Sequence, residues 1–405
     1  MANGKKRWLR TALIALGALA LAAFIILGVR AFVILRARQV PSYNAGTWLD
    51  ITPSGVVSAN GEQVKTRMRI GSENNVIVFF YGGGISVNED MAARPFTGAA
   101  DLSGENGFYT DSIDGMIPDY CELGLGSSGR SNPFRDWTII IIPYTTADFH
   151  IGTGEYSYTD LSGREQTLYH HGYTNYRAVM DIAAQYAGMP DELLIAGYSA
   201  GGFGAVMLAD DLIRNYFPEA GHVTVCVDSS YLLWNGWEEA VRDIWNAPEE
   251  IAEKFVSDNP IVDFMTALYE TYGEEMTYLF IGSTRDGELS RYQNYFDTGV
   301  FRTNNALGSQ YTDSLRQMLG QLKRNVPTLC AYLFDQLPFS MRPDQFTLTQ
   351  HTILVTNTAT WPLTDRLSAL VWLHGAVYGN LTDHGLDKLR YEPNTPAETG
   401  GSFRR

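Results

Sequence analysis

Residues 193–208 read LLIAGYSAGGFGAVML. An apolar run stops at Gly197, a single serine follows, and the small residues from Ala200 onward lead into a helical pattern. A strand that turns directly into a helix forces its middle residue into strained backbone geometry. Small residues two positions before and after keep side chains from colliding there. The spacing Gly197-Tyr198-Ser199-Ala200-Gly201 therefore predicts a strand–elbow–helix unit. Its serine Oγ stands above a sheet edge at a helix N-terminus, with the Ala200 N–H pointing where an oxyanion would form.

Working outward, NVIVFFY (75–81) and WTIIIIPY (137–144) are continuous apolar runs, as in strands buried on both faces. YRAVMDIAAQYAG (176–188) has helical spacing and ends at glycine. After the elbow come HVTVCVD (222–228), a helical region and MTYLFIGSTRD (276–286). A helix at 312–324, the strand TLCAYLF (328–334) and a last helix at 365–379 complete the pattern. This alternation predicts an α/β fold, a mostly parallel sheet with helices on both faces, over residues 55–392. Residues 39–54 read as a stalk with some strand, and 393–405 as a flexible tail.

The first 38 residues differ from the rest. Thr11 to Val29 is a 19-residue run without charge, long enough as a helix to span about 28 Å of hydrocarbon. Four basic residues precede it, which favours a cytoplasmic N-terminus. A transmembrane signal-anchor is expected in 1–38, with a cleaved signal as the alternative. Either places the remaining chain outside the cytoplasm. Seven of the 30 basic residues lie in 1–38, which hold no acid, so residues 39–405 carry 45 acidic against 23 basic side chains. Such a surface repels nucleic acid. Three cysteines do not make a disulfide framework, and none has metal-ligand spacing.

A serine is a weak nucleophile near neutral pH and needs a base, itself oriented by a carboxylate. In this architecture the chain order is serine, acid, histidine. His351, in FTLTQHTIL, follows the last strand candidate and is the expected base, with His384 as the alternative. Asp228, Asp286 and Asp335 all end strands. Asp286 is favoured as the acid, two strands after the serine and one before the base, with Asp335 second. Gly82-Gly83-Gly84 follows the first strong strand, where backbone without Cβ atoms can approach a substrate closely. It is expected to supply the other half of an oxyanion hole, from Gly84 and Ile85. Two patterns are set aside. The G-x-G-x-x-G at 124–129 has no strand before it, and His170-His171 has no companion ligand spacing. No metal or other cofactor is expected.

The glycine triplet, NPFRDWTIIIIPYTTADFHIGTG (132–154), HHGYTN (170–175), LLIAGYSAGGFGA and VDSSYLL (227–233) together are similar to the pectin acetylesterase and Notum family of carboxylesterases. The IPYTTADFHIG segment most resembles bacterial members. The resemblance covers roughly residues 55–380 and implies an α/β-hydrolase fold and a metal-free serine esterase. It supports Ser199, Asp286 and His351 as the triad and Gly84, Ile85 and Ala200 as oxyanion donors. It places Asp148 and His150 near the mouth of the site. Thr145 and Ile85 stand where the family commonly has a cysteine and an aromatic residue, and both changes would reshape the acyl or leaving-group pocket. The expected substrate is an acyl ester, acetyl above all, on a polysaccharide. A carbohydrate-binding surface protein that lost activity, or a lipase- or thioesterase-like deacylase, are the alternative readings.

Overall fold

The computed structural model describes residues 45–96, 107–112, 121–336 and 342–390. The expected anchor in 1–38 and tail at 393–405 lie outside the described residues. Among the described residues no helix is long and apolar enough to cross a membrane.

Eight strands form one sheet: β1 (Trp48–Ile51), β2 (Thr66–Arg69), β3 (Asn75–Phe80), β4 (Thr138–Ile142), β5 (Glu192–Tyr198), β6 (His222–Asp228), β7 (Met276–Ser283) and β8 (Cys330–Phe334). Their order is β1-β2-β4-β3-β5-β6-β7-β8. The first two pairings are antiparallel and the other five parallel. The central strands read as unbroken apolar runs because they are buried along their whole length; β3, β4 and β7 have no exposed residue. Phe80 pairs with Gly197, Tyr198 with Asp228, Asp228 with Ile281, and Ser283 with Phe334. The loops after β3, β5, β6, β7 and β8 thus leave from one carboxyl edge, where parallel sheets bind ligands.

Six main helices accompany the sheet: α1 (Gly172–Ala187), α2 (Ala200–Tyr216), α3 (Pro260–Tyr272), α4 (Gly287–Thr298), α5 (Asn305–Asn325) and α6 (Ala369–Val377). Helix α2 packs on β3, β5 and β6, and α1 on β4. Helix α5 starts seven residues before its predicted position because Asn304 caps it, its side chain accepting from the Leu307 N–H at 3.0 Å. Helix α6 starts later than predicted; Ser368 caps it, and Asp365 and Arg366 before it have positive φ.

One boundary is corrected. Residues 48–51, read from sequence as stalk, pair with β2 as the edge strand of the sheet. The sequence of β2, TRMR, conceals its burial. Arg69 is 1 % exposed; its guanidinium lies over the Trp48 ring at 5.0 Å and donates to the Gly126 carbonyl at 2.6 Å. That carbonyl belongs to the 124–129 glycine segment, which packs against this edge of the sheet.

Candidate active site

The elbow forms where β5 ends. Ser199 has φ +53° and ψ −129°, in the region that side chains rarely adopt. The two flanking glycines leave no room for a Cβ. One on Gly197 would meet the Gly201 carbonyl oxygen at 2.0 Å, and one on Gly201 the Phe80 oxygen at 2.1 Å. The turn is anchored on β6: Ser199 N–H donates to the Asp228 carbonyl at 2.8 Å, and Ser230 Oγ donates to the Ser199 carbonyl at 2.7 Å. Ser199 keeps partial exposure while its neighbours Tyr198 and Ala200 are buried.

Asp286 follows β7 and is the N-cap of α4. Its Oδ1 accepts from the Glu288 and Leu289 N–H groups, both at 2.9 Å. Its Oδ2 accepts from His351 Nδ1 at 2.7 Å. A carboxylate only accepts, so the ring proton sits on Nδ1 and the Nε2 lone pair is left available as a base. Burial pulls the His351 imidazolium down. The charge and hydrogen bond of Asp286, with the charges of Glu288 and Asp228, outweigh it, and the His351 pKa is raised above 6.5.

His351 arrives on a strand-like segment that pairs with Asp286 itself. Asp286 bridges Thr349 in parallel, and Thr349 N–H donates to the Arg285 carbonyl at 3.0 Å. The buried Arg285 guanidinium binds Thr347 O and Oγ1, Ser309 Oγ and Asn305 O at 2.7–2.9 Å. Beyond His351 the same loop is fixed by Asp228. Its Oδ2 accepts from Ile353 N–H at 2.8 Å and Leu354 N–H at 2.7 Å. The Ser229 hydroxyl lies 3.0 Å from both Asp228 Oδ1 and the His351 carbonyl. Burial outweighs these hydrogen bonds and pushes the Asp228 carboxyl up to about 6. Asp228 therefore holds the Ser199 and His351 loops to one strand end, its carbonyl on Ser199 and its carboxylate on the residues after His351. Among the described residues no direct Ser199–His351 hydrogen bond is formed; Asp228 is what brings the two loops together.

Of the three expected oxyanion donors, the Ala200 N–H opens α2 and has no intrahelical acceptor. Gly84 lies in the glycine turn at φ +81°, where a Cβ would sit 1.9 Å from the Phe108 carbonyl oxygen. Ile85 is a correction: its N–H already donates to Phe108 O at 2.9 Å, because the turn pairs with Tyr109. Gly82 is the glycine that touches the elbow, its missing Cβ position 2.7 Å from Ser199 Cβ.

Asp148 and His150 are also corrected. Neither reaches a mouth, being 0 % and 1 % exposed. Asp148 accepts from Thr146 Oγ1, His150 N–H and, at 2.7 Å, the Gly172 N–H at the start of α1. His150 Nε2 donates to the Tyr81 carbonyl at 2.8 Å, and burial pulls its pKa down to about 3. Both are scaffolding beneath the elbow. The alternative acid and base fall elsewhere: Asp335 pairs with Lys388 on the surface, and His384 with Asp365. His170 is buried against the Thr146 carbonyl. All three cysteines are buried and free.

A strand–elbow–helix serine, a capped acid after β7 and a histidine after β8, all on one sheet edge, are the layout of the α/β-hydrolase class. The pectinacetylesterase family model matches residues 69–241, which span the glycine turn and the elbow. Two crystal forms of the Wnt deacylase Notum from Drosophila share the fold. Form I aligns at TM-score 0.53 and 18 % identity over 82 % of this chain and 92 % of that one. Form II aligns at 0.52 and 18 %, over 82 % and 94 %. No curated protein sequence matches the chain. The protein is a carboxylic ester hydrolase. Over residues 69–241 it is similar to the pectinacetylesterases, in line with the resemblance seen in its motifs.

Proposed function

We propose that the protein is a serine carboxylesterase that removes acetyl groups from a polysaccharide through Ser199, His351 and Asp286. His351 Nε2 takes the Ser199 proton as Oγ attacks the ester carbonyl. The tetrahedral oxyanion rests on the Ala200 N–H and on the glycine turn at 82–84. His351 then gives its proton to the leaving alkoxide, and the freed alcohol departs. Water, deprotonated by the same imidazole, cleaves the acyl-enzyme and releases the acid, while Asp286 holds the tautomer throughout. The observation that carries this reading is the 2.7 Å Asp286–His351 hydrogen bond on a loop tied through Asp228 to the Ser199 turn. The absence of a closed Ser199–His351 bond agrees with sites that tighten only around substrate. The pectinacetylesterase match supports acetyl as the acyl group.

Ser199→Ala is expected to abolish hydrolysis of p-nitrophenyl acetate and labelling by a fluorophosphonate probe. Retained turnover sinks the assignment. Among p-nitrophenyl esters from acetyl to palmitoyl, kcat/KM is expected to fall with chain length. The proposal extends to placement: the run at 11–29 anchors the chain in a membrane with the catalytic domain on the extracytoplasmic side.

A further inference from the structure

A cavity of about 640 Å³ opens between α4, α5 and the segment after β6, within the usual size range of ligand pockets, about 300–1,000 Å³. Its walls continue the catalytic elements. Tyr231 follows Ser230, whose hydroxyl holds the Ser199 carbonyl. Ser290 stands in the first turn of α4, its N–H on the Asp286 carbonyl at 3.1 Å. The third wall is α5, through Tyr311 and Ser314. The rim is built. Gln293 clamps Leu233 at both N–H (2.9 Å) and carbonyl (3.0 Å), fastening the segment after β6 to α4. Trp234 stacks on Phe296 with ring centroids 5.0 Å apart and planes at 19°.

Three features describe what this cavity takes. It combines half-buried aromatic faces at Trp234 and Phe296 with the amides of Asn235, Gln293 and Gln310, a pairing suited to ring C–H faces and hydroxyl groups. Tyr311, one of the lining residues, is 4 % exposed, and its buried hydroxyl has no hydrogen-bond partner among the described residues. A buried polar group without a partner is costly unless a ligand supplies one. The charged lining residues are Asp258 and Asp297, and no lining residue is Lys, Arg or His. A carboxylate-bearing sugar chain would meet like charge with no cation to offset it.

From this cavity we infer that the protein binds an uncharged acetylated glycan there and discriminates against polyuronates such as pectin. The acetyl transfer to water rests on the esterase reading; the binding does not.

Two measurements on the full chain separate them. The first compares acetate release from acetylated xylan and acetylated polygalacturonate of equal acetyl content. Xylan is expected to be favoured about tenfold in kcat/KM at low ionic strength, the gap narrowing with salt. The second is calorimetric titration of Ser199→Ala with xylohexaose. Trp234→Ala and Tyr311→Phe added to it are each expected to weaken binding, Trp234→Ala by about tenfold, the change that a lost aromatic contact of about 1.4 kcal/mol gives. Tyr311→Phe removes one oxygen, so it tests the cavity even where Trp234→Ala fails to fold. The inference is overturned if hexagalacturonate binds as tightly as xylohexaose, or if both variants leave xylohexaose affinity unchanged. Absence of p-nitrophenyl acetate turnover by the unmutated chain would instead sink the esterase reading, while the titration still decides the cavity.

Discussion

At Asp286 the two oxygens of one carboxylate do different work. Oδ1 closes the N-terminus of α4 and Oδ2 holds His351. Asp286→Asn keeps the first role, since an amide oxygen still accepts from Glu288 and Leu289. Its NH2 then faces Nδ1, which must accept, so the ring proton moves to Nε2 and the base is lost. The expected fall in kcat is about 10⁴-fold. The pH profile gives a second readout. With its pKa raised, His351 is protonated and inactive below a point higher than 6.5, so kcat/KM rises with pH through that point. In Asp286→Asn burial remains and the main raising cause is gone, so the residual activity should begin at lower pH. An acid limb that does not move would argue against His351 as the titrating base. Asp335→Asn touches an ion pair with Lys388 at the surface and is expected to change kcat by less than about twofold. This order was legible in the sequence because TRDG ends one strand and TQHT comes after the next. The cap that aims the acid was not, since any aspartate at a strand end looks the same.

At the scale of elements, the end of β6 is where two loops meet. Removing the Asp228 carboxylate leaves the buried Ile353 and Leu354 N–H groups unpaired, roughly 1–3 kcal/mol each, and frees the loop that carries His351. Asp228→Ala is expected to lower kcat about 10²-fold, the scale of an ångström misplacement of a catalytic group. Asp228→Asn keeps an acceptor for both N–H groups and should recover most of that loss. Counting sites with a fluorophosphonate, and quoting kcat per labelled site, separates positioning from simple unfolding. If the folded fraction of Asp228→Ala turns over normally, Asp228 is only structural. Its sequence context offered it as a rival triad acid, because a buried carboxylate accepting backbone N–H groups from residues 125 positions away leaves no local pattern. The parallel strands were readable for the opposite reason: burial on both faces writes itself as an unbroken apolar run. Strands β1 and β2 hide because their buried positions include Arg69, held by a carbonyl and an indole that only the folded chain brings near.

The whole molecule is divided by charge more sharply than by anything in the sheet. Seven basic and no acidic residues occupy 1–38, against 45 acidic and 23 basic in the remainder. A 19-residue uncharged run preceded by four cations costs little to insert and is oriented by those cations. The acidic remainder, repelled by anionic headgroups, gains nothing from lying on the surface itself. On the anchor proposal, the run alone therefore holds the chain at the membrane. The full chain is expected to stay with the membrane pellet after alkaline carbonate extraction, at its full 45.0 kDa. Protease added from the extracytoplasmic side should remove fluorophosphonate-labelled protein from intact cells. Recovery in the soluble fraction at full length would end the anchor proposal. A soluble product shortened by the first few dozen residues would instead identify the run as a cleaved signal. Esterase activity in that product would still hold, because the sheet, its carboxyl edge and every group assigned to the chemistry lie after residue 45.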